Sequence, residues 1–319
     1  MDFCLECLSH TPLHGYHDPA PDILEEVQRQ FARARARVDS FAPDLIVLFG
    51  PDHYNGFFYE VMPPFCIGVE ARAIGDFNSL AGDLVVPKDF ALSCAQAALQ
   101  SGIDVAVSYR MEVDHGFAQA LDVLTGGIDR YPVLPVFINC VAPPLAPCRR
   151  ARLLGKAIGH CAASSGKRVL FVGSGGISHE PPVPEIANAS PEVASRLIAG
   201  RNPTEEARSA RQDRTVAAAK SFTAGKSELH SLNPTWDMQF LDLLAAGDLD
   251  AIDQFSDESI TAEGGKSAHE IRTWIAAFGA LAANGPFRAT IEYYRAIPEW
   301  IAGFAVMTGA SCGGQSDAT

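Results

Sequence analysis

Short runs of apolar residues alternate with longer segments of helical periodicity over the first half of the chain. The apolar runs have the length of buried strands, and the segments between them repeat apolar residues at the spacing of amphipathic helices. The predicted strands are 3–8, 45–49, 104–108, 133–138 and 168–172, and the predicted helices are 22–40, 88–100 and 149–163. This alternation predicts an α/β fold with a central mixed or parallel sheet flanked by helices.

The pattern changes near residue 191, after which it predicts mostly helices. They cover 191–200, 204–222, 235–246 and 267–283. Residues 202–226 mix charges of both signs with few large apolar side chains, which favours a solvated helix or a lid. We therefore expect one domain over residues 1–307 with a helical C-terminal portion. Residues 308–319, rich in Gly, Ser and Ala, are expected to form a frayed tail.

Four histidines lie shortly after apolar, strand-like runs. His10, His53, His115 and His179 follow the runs 3–8, 45–49, 105–107 and 169–172. One histidine near a strand end is usually an ordinary loop residue, but four such placements are a stronger signal. If the runs are neighbouring strands of one sheet, their carboxyl ends share an edge, where α/β proteins hold their ligands. We expect the four imidazoles to face one crevice.

Imidazole side chains in such a crevice indicate a transition-metal site. Two histidines and one carboxylate on one face of a metal leave open positions for substrate and dioxygen on ferrous iron. Sequence spacing does not choose the carboxylate. The candidates are Glu270, Asp237, Asp242, Glu263 and Glu299. Glu270 lies near the start of a predicted helix, where an acid can simply complement the helix dipole.

Composition narrows the classes of partner. The chain has 319 residues, 47% of them hydrophobic and 20% charged, which is typical of a globular protein. Its formal net charge of -13 argues against nucleic acid or an anionic membrane as a partner and favours a small molecule. The longest apolar run, 274–283, is too short to span a bilayer, and no secretory leader pattern opens the chain. We expect a cytoplasmic protein.

Other motifs suggest different chemistries but match them incompletely. Cys4 and Cys7 have the spacing of half a zinc site, but no second pair completes the set. The glycine-rich turn 173–176 departs from the dinucleotide fingerprint, because Ser178 replaces the third glycine. A hydrolase using Ser174 or Ser178 lacks the G-x-S-x-G pattern. We expect these glycines to allow a close backbone approach and to aim His179.

Five ordered motifs carry a resemblance to a known family. They are CLSHTP at 7–12, PDHYNGFF at 51–58, DHGF at 114–117, GSGGISH at 173–179 and AHEIRTW at 268–274. Together they resemble the class III extradiol ring-cleavage dioxygenases of the LigB type, over nearly the whole chain. The resemblance implies an iron enzyme that opens a catechol ring with dioxygen.

The resemblance also implies roles for individual residues. A single ferrous ion, Fe(2+), would be held by His10, His53 and Glu270, with His269 as a neighbouring alternative to the glutamate. His115 would be the proton donor and His179 the proton acceptor. Asp114 could fix the tautomer of His115 or hold it protonated, or could merely cap a helix.

The expected substrates are dioxygen and 3-(2,3-dihydroxyphenyl)propionate or its cinnamate analogue, and the expected product is 2-hydroxy-6-oxonona-2,4-dienedioate or its triene analogue. The resemblance also suggests a homo-oligomer. Three alternatives stay open: another substituted catechol as substrate, a non-catalytic metal-binding homologue, and a zinc hydrolase with the same ligands.

Overall fold

A computed structural model describes residues 3–312. The strands are β1 (Phe3–Leu8), β2 (Leu45–Gly50), β3 (Phe65–Gly68), β4 (Ala71–Ile74), β5 (Ala81–Asp83), β6 (Ala106–Ser108), β7 (Met111–Val113), β8 (Val133–Ile138), β9 (Val169–Ser174), β10 (Phe287–Ile297) and β11 (Ala302–Ser311). The helices are α1 (Pro21–Phe41), α2 (Lys88–Gln100), α3 (His115–Thr125), α4 (Cys148–Ser164), α5 (Pro191–Ala199), α6 (Glu205–Thr223), α7 (Pro234–Ala246), α8 (Leu249–Ile252), α9 (Asp257–Gly264) and α10 (Ile271–Ala282). Short 3-10 turns include Asp76–Asn78, Ala268–Glu270 and Pro298–Trp300.

Eight strands form one mixed sheet in the order β10-β11-β1-β9-β2-β8-β3-β6. The central strands β1, β9, β2 and β8 are parallel to one another. Strand β11 pairs antiparallel with β1, and β3 pairs antiparallel with β8. A separate small sheet has the order β5-β4-β7. The predicted α/β fold with a mixed sheet is confirmed.

The central strands β2, β8 and β9 are almost wholly apolar because helices cover both faces of the sheet. Every residue of β2, β8 and β9 is buried. Alternate residues of β2 face opposite cores: Leu45 and Val47 pack with α4 and α10, whereas Ile46 and Leu48 pack with α1 and α3. The carboxyl ends of these strands are thereby held in fixed positions.

The predicted helices match the observed ones to within a few residues, with two corrections near the C-terminus. The helical C-terminal portion ends in a hairpin, β10 and β11, that the pattern did not predict. The predicted tail from residue 308 starts too early, because Thr308 pairs with both β1 and β10 and the strand continues to Ser311. Residues 313–319 of that predicted tail lie outside the described residues. Within residues 3–312, no helix combines the length and apolar character that a membrane span requires.

Candidate metal centre

Three of the four predicted histidines lie at one edge of the main sheet. His10 follows β1, His53 follows β2, and His179 follows β9, which lies between those two strands. All three side chains are buried. The ring centroids of His10 and His53 are 5.5 Å apart. Neighbouring parallel strands therefore bring these imidazoles to one crevice, as their strand-end positions predicted.

His115 reaches the same crevice by a different route, so its predicted strand context was wrong. The run before it gives β6, which lies at the far edge of the main sheet, and the short strand β7 of the small sheet then intervenes. His115 is the first residue of α3. Its ring stacks on His53 with centroids 4.7 Å apart and lies 5.4 Å from His10.

Glu270 is the carboxylate that faces these histidines. Its Oε1 lies 3.0 Å from Nε2 of His53 and 3.2 Å from Nε2 of His179, and its Oε2 lies 3.7 Å from Nε2 of His10. Burial alone would raise the pKa of Glu270, but the charges and hydrogen bonds of the histidines outweigh it and hold the pKa well below its usual value. The centre therefore contains an ionised carboxylate.

The other acidic candidates and His269 point elsewhere. Asp237 is buried, but it accepts hydrogen bonds from Ser178 and Tyr294. Asp242 and Glu263 are exposed, and Glu299 is half-buried on a 3-10 turn. His269 contacts Thr261 through Nε2 and accepts from Arg272 at Nδ1. Among the carboxylates that the sequence offered, Glu270 is the one that meets the imidazoles.

The hydrogen bonds give all four imidazole rings the same orientation, with Nδ1 donating outward and Nε2 facing the centre. The acceptors are Ser174 Oγ for His10 at 3.0 Å, Asp114 Oδ2 for His53 at 2.9 Å, Asp76 Oδ2 for His115 at 2.6 Å and Ile177 O for His179 at 3.3 Å. Ser174 accepts because its own hydroxyl donates to the carbonyl of Gly116.

Burial and charge give His10 and His53 different protonation states. Burial lowers the pKa of His10 to about 3, so its Nε2 carries a free lone pair. Burial also acts to lower the pKa of His53, but the charges and hydrogen bonds of Asp114 and Glu270 raise it well above the usual value. A metal ion at Nε2 of His53 would replace the proton there.

One buried polar atom at the centre has no partner. Nε2 of His115 makes no hydrogen bond within the described residues, which is rare for a buried nitrogen. Nitrogen atoms of His10, His53 and His115 lie within 4.8 Å of one another. Together with the Glu270 carboxylate, this donor set of imidazole nitrogens and one acid fits a divalent transition metal, which would displace the proton from His53.

Asp76 is a site residue that the sequence analysis missed. Its Oδ1 accepts from the backbone N–H of His115 at 2.7 Å, and its Oδ2 accepts from the ring at 2.6 Å. It lies on a turn in which Phe77 and Asn78 have the left-handed φ values 46° and 58°. Such strain in non-glycine residues is typical of functional sites. Nothing in the spacing between Asp76 and His115 indicated this contact.

Asp114 caps a helix and orients a histidine, but that histidine is His53. One oxygen accepts from the backbone N–H of Gly116 at the start of α3. The other accepts from the backbone and ring of His53 and from the side-chain amide of Asn55. Burial acts to raise the pKa of Asp114, but the charges of His53 and His115 hold it below the usual value. The tautomer of His115 is fixed by Asp76 instead.

The glycine-rich turn after β9 makes room for the centre. A side chain at Gly175 would place Cβ 2.8 Å from Cβ of Glu270, and one at Gly176 would place it 2.8 Å from Nδ1 of His179. The backbone N–H of Gly176 also donates to Glu270 Oε2 at 2.9 Å. Because Gly175 and Gly176 lack side chains, the backbone of this turn can lie close to Glu270 and His179.

The chain is similar to known proteins over nearly its whole length. Residues 5–305 match the family model described as the catalytic LigB subunit of aromatic ring-opening dioxygenase. A protein of Paraburkholderia phymatum is 69% identical over 307 residues, covering 96% of this chain and 97% of its own length. It is named 2,3-dihydroxyphenylpropionate/2,3-dihydroxicinnamic acid 1,2-dioxygenase.

A second relative and one solved structure are also similar to the chain. A protein of the same name from Cupriavidus pinatubonensis is 68% identical over 96% of this chain and 98% of its own length. A crystal structure of uncharacterized protein JW3007 from Escherichia coli K12 has a TM-score of 0.51 and 14% identity, and covers 95% of this chain and 98% of that chain. At that identity the likeness shows the fold alone.

Proposed function

This chain belongs to the LigB family of aromatic ring-opening dioxygenases, and we propose that it cleaves 3-(2,3-dihydroxyphenyl)propionate and its cinnamate analogue with dioxygen. Cleavage falls between the hydroxylated carbon and the carbon that bears the side chain, giving 2-hydroxy-6-oxonona-2,4-dienedioate from the propionate. The observation that carries the proposal is the Glu270 carboxylate surrounded by Nε2 atoms of His10, His53 and His179. The names of relatives with 67–69% identity support the choice of substrate.

Membership of this family implies a metal cofactor, and we assign it as ferrous iron held by His10, His53 and Glu270. Two neutral nitrogen donors and one carboxylate are the ligand set of non-haem iron oxygenases. When bound, the ion supplies a Lewis acid for the catechol oxygens and a path for electrons to dioxygen. Asp114 and Ser174 hold the rings of His53 and His10 from behind, so both Nε2 atoms keep their direction.

His179 accepts the proton that a catechol hydroxyl loses. Its Nδ1 is directed at the carbonyl of Ile177, so the proton is received at Nε2, on the side of Glu270. The residue is fixed by its backbone N–H, which donates to Gly264 O at 2.8 Å. The neighbouring Ser178 is held by Asp237 through its backbone and its hydroxyl. A base positioned in this way contributes about 10²- to 10⁴-fold to rate.

His115 donates a proton during ring opening. Asp76 accepts from Nδ1 and fixes the orientation of the ring, so the proton that is donated leaves from Nε2. That atom is buried and has no other partner within the described residues. The edge of Phe77 lies against the ring, with centroids 5.2 Å apart, and helps to keep water away from it.

The test is anaerobic loading with Fe(II), followed by addition of the catechol in air. We expect oxygen uptake matched by a yellow dienol product, and no reaction from the zinc-loaded protein. A non-catalytic homologue would bind metal and consume no oxygen. A zinc hydrolase would be silent with iron and catechol. Either result would reject the proposed function.

The cytoplasm is the compartment that we propose. Within residues 3–312, no disulfide joins any of the eight cysteines, and a reducing compartment maintains cysteines in this state. Assembly into a homo-oligomer stays a prediction, and light scattering of the purified protein would test it.

A further inference from the structure

Helices α5 and α6 are rich in arginine, although the chain as a whole is acidic. The formal net charge is -13, yet arginines recur through both helices and the link between them. They are Arg196, Arg201, Arg208, Arg211 and Arg214. Two of these, Arg201 and Arg211, hydrogen-bond to the loop that follows β2. This positive group therefore lies over the segment that begins with His53.

Arg211 connects α6 directly to the metal centre. Its Nη2 donates to the carbonyl of His53 at 2.7 Å, and its Nη1 donates to Oδ1 of Asn55 at 3.0 Å. Asn55 in turn donates to Asp114 Oδ2, the oxygen that also accepts from the ring of His53. A guanidinium has five N–H donors, so these two bonds leave donors for a further acceptor.

Helix α5 is attached to the same loop and adds a second guanidinium. The backbone N–H of Tyr59 donates to Leu197 O at 2.9 Å, and that of Glu60 donates to Ile198 O at 2.8 Å. Arg196, directly before Leu197, is half-buried. Within residues 3–312, no acceptor bonds to the guanidinium of Arg196 or to that of Arg214.

The charges of these arginines act on one another. Burial lowers the pKa of Arg196, and the charges of Arg214 and Arg211 lower it further, while Glu192 acts in the opposite direction. Arg196 and Arg211 are half-buried and Arg214 is exposed. Like charges held close together destabilise a fold unless an anion neutralises them. The planar fork of a guanidinium fits a carboxylate with two parallel hydrogen bonds.

We propose that Arg196, Arg211 and Arg214 bind the carboxylate on the side chain of the catechol substrate. This inference rests on the proposed function, in which the substrate carries a carboxylate a short carbon chain away from the ring. Arg211 already contacts the carbonyl of His53, so the cluster lies beside the residue that faces the metal. A ring bound at the centre can therefore direct its side chain toward α5 and α6.

The test compares an acid with an uncharged analogue in two separate variants, Arg196→Gln and Arg214→Gln. For 3-(2,3-dihydroxyphenyl)propionate, we expect KM to rise about 10- to 100-fold, the effect of losing a hydrogen bond to a charged group. For 3-propylcatechol, which lacks the carboxylate, we expect wild-type turnover and KM. The matched control is Arg208→Gln, which removes the same charge from an exposed position on α6 and leaves both substrates unchanged.

Equal losses with both substrates, or no loss with either, would overturn the carboxylate site. Calorimetric titration with 3-phenylpropionate, which has the carboxylate but no catechol hydroxyls, gives an independent readout. Arg196→Gln should weaken its binding and Arg208→Gln should not. A wild-type enzyme that opens neither catechol would reject the proposed function itself. One that opens both without preferring the acid would reject the carboxylate site alone.

Discussion

Two parts of the candidate centre are built in different ways. His10, His53 and His179 follow central strands of the main sheet, and the apolar core on both faces sets their positions. Asp76 lies on the turn between β4 and β5 of the small sheet, and His115 begins α3 directly after β7, so polar contacts and left-handed backbone set their geometry. We therefore expect metal binding to depend on the rigid sheet edge, and the proposed proton donation to depend on the contact between Asp76 and His115 beside it.

We expect the largest effect from His53→Ala, which tests metal binding at the sheet edge. This change removes one of the proposed ligands at the sheet edge, so we expect iron and ring-cleaving activity to be lost together. Metal analysis of the purified variant, with an oxygen electrode for activity, measures both. Retention of wild-type iron content would show that His53 is not a ligand.

His115→Ala tests the proposed proton donor. We expect the variant to keep its iron and to lose about 10²- to 10⁴-fold in kcat, the contribution of a well-placed acid. Loss of iron as well would place His115 among the ligands, and normal turnover would reject its role as proton donor. The stacking of His115 on His53 makes metal analysis an essential control here.

Asp76→Asn tests how far His115 depends on the Asp76 carboxylate, because the substitution keeps the size of the side chain and removes its charge. An amide oxygen can serve only one of the two N–H groups of His115 that Asp76 now holds. We expect kcat to fall by about 10- to 100-fold, less than for His115→Ala, with KM and iron content unchanged. An equal rise of KM would instead indicate that the turn shapes the substrate pocket. Steady-state kinetics at saturating iron separates the two outcomes.

The smallest expected effect is the pH dependence of metal affinity, which follows from the proton on His53. In the metal-free protein the pKa of His53 is raised, so a proton occupies its ring until the pH exceeds that raised value. Metal binding expels this proton, and affinity should rise about tenfold per pH unit below the raised pKa and level off above it. Calorimetry in buffers of different ionisation enthalpy counts the released protons. Metal affinity independent of pH would contradict the proposed exchange.

Much of the sheet edge could be predicted from sequence, because a local run of apolar residues indicates both a strand and the residues at its carboxyl end. The runs that give β1, β2 and β9 are mostly apolar, with Glu6 as the one acid in β1, and His10, His53 and His179 follow them closely. The helices were predictable for the same reason, since their periodicity lies within each segment. The hairpin of β10 and β11 was missed because the half-exposed β10 lies at the sheet edge and lacks a continuous apolar run.

The contact between Asp76 and His115 could not be predicted from their spacing in the sequence. Asp76 and His115 are separated by three strands and a helix, and their contact depends on how the small sheet packs beside the main one. The choice of Glu270 over Asp237 likewise required the fold, because both acids are buried and only their partners differ. The motif resemblance supplied the assignment of Glu270 that local patterns left open.

Anomalous diffraction at the iron edge, from crystals of the Fe(II)-loaded protein, tests the proposed ligand set directly. We expect one strong peak within ligand distance of Nε2 of His10, Nε2 of His53 and the Glu270 carboxylate. Asp76, Asp114 and His115 also bring ligand-type atoms within 4.8 Å of one another. A peak at those three residues, with none at Glu270, would show that the metal binds elsewhere.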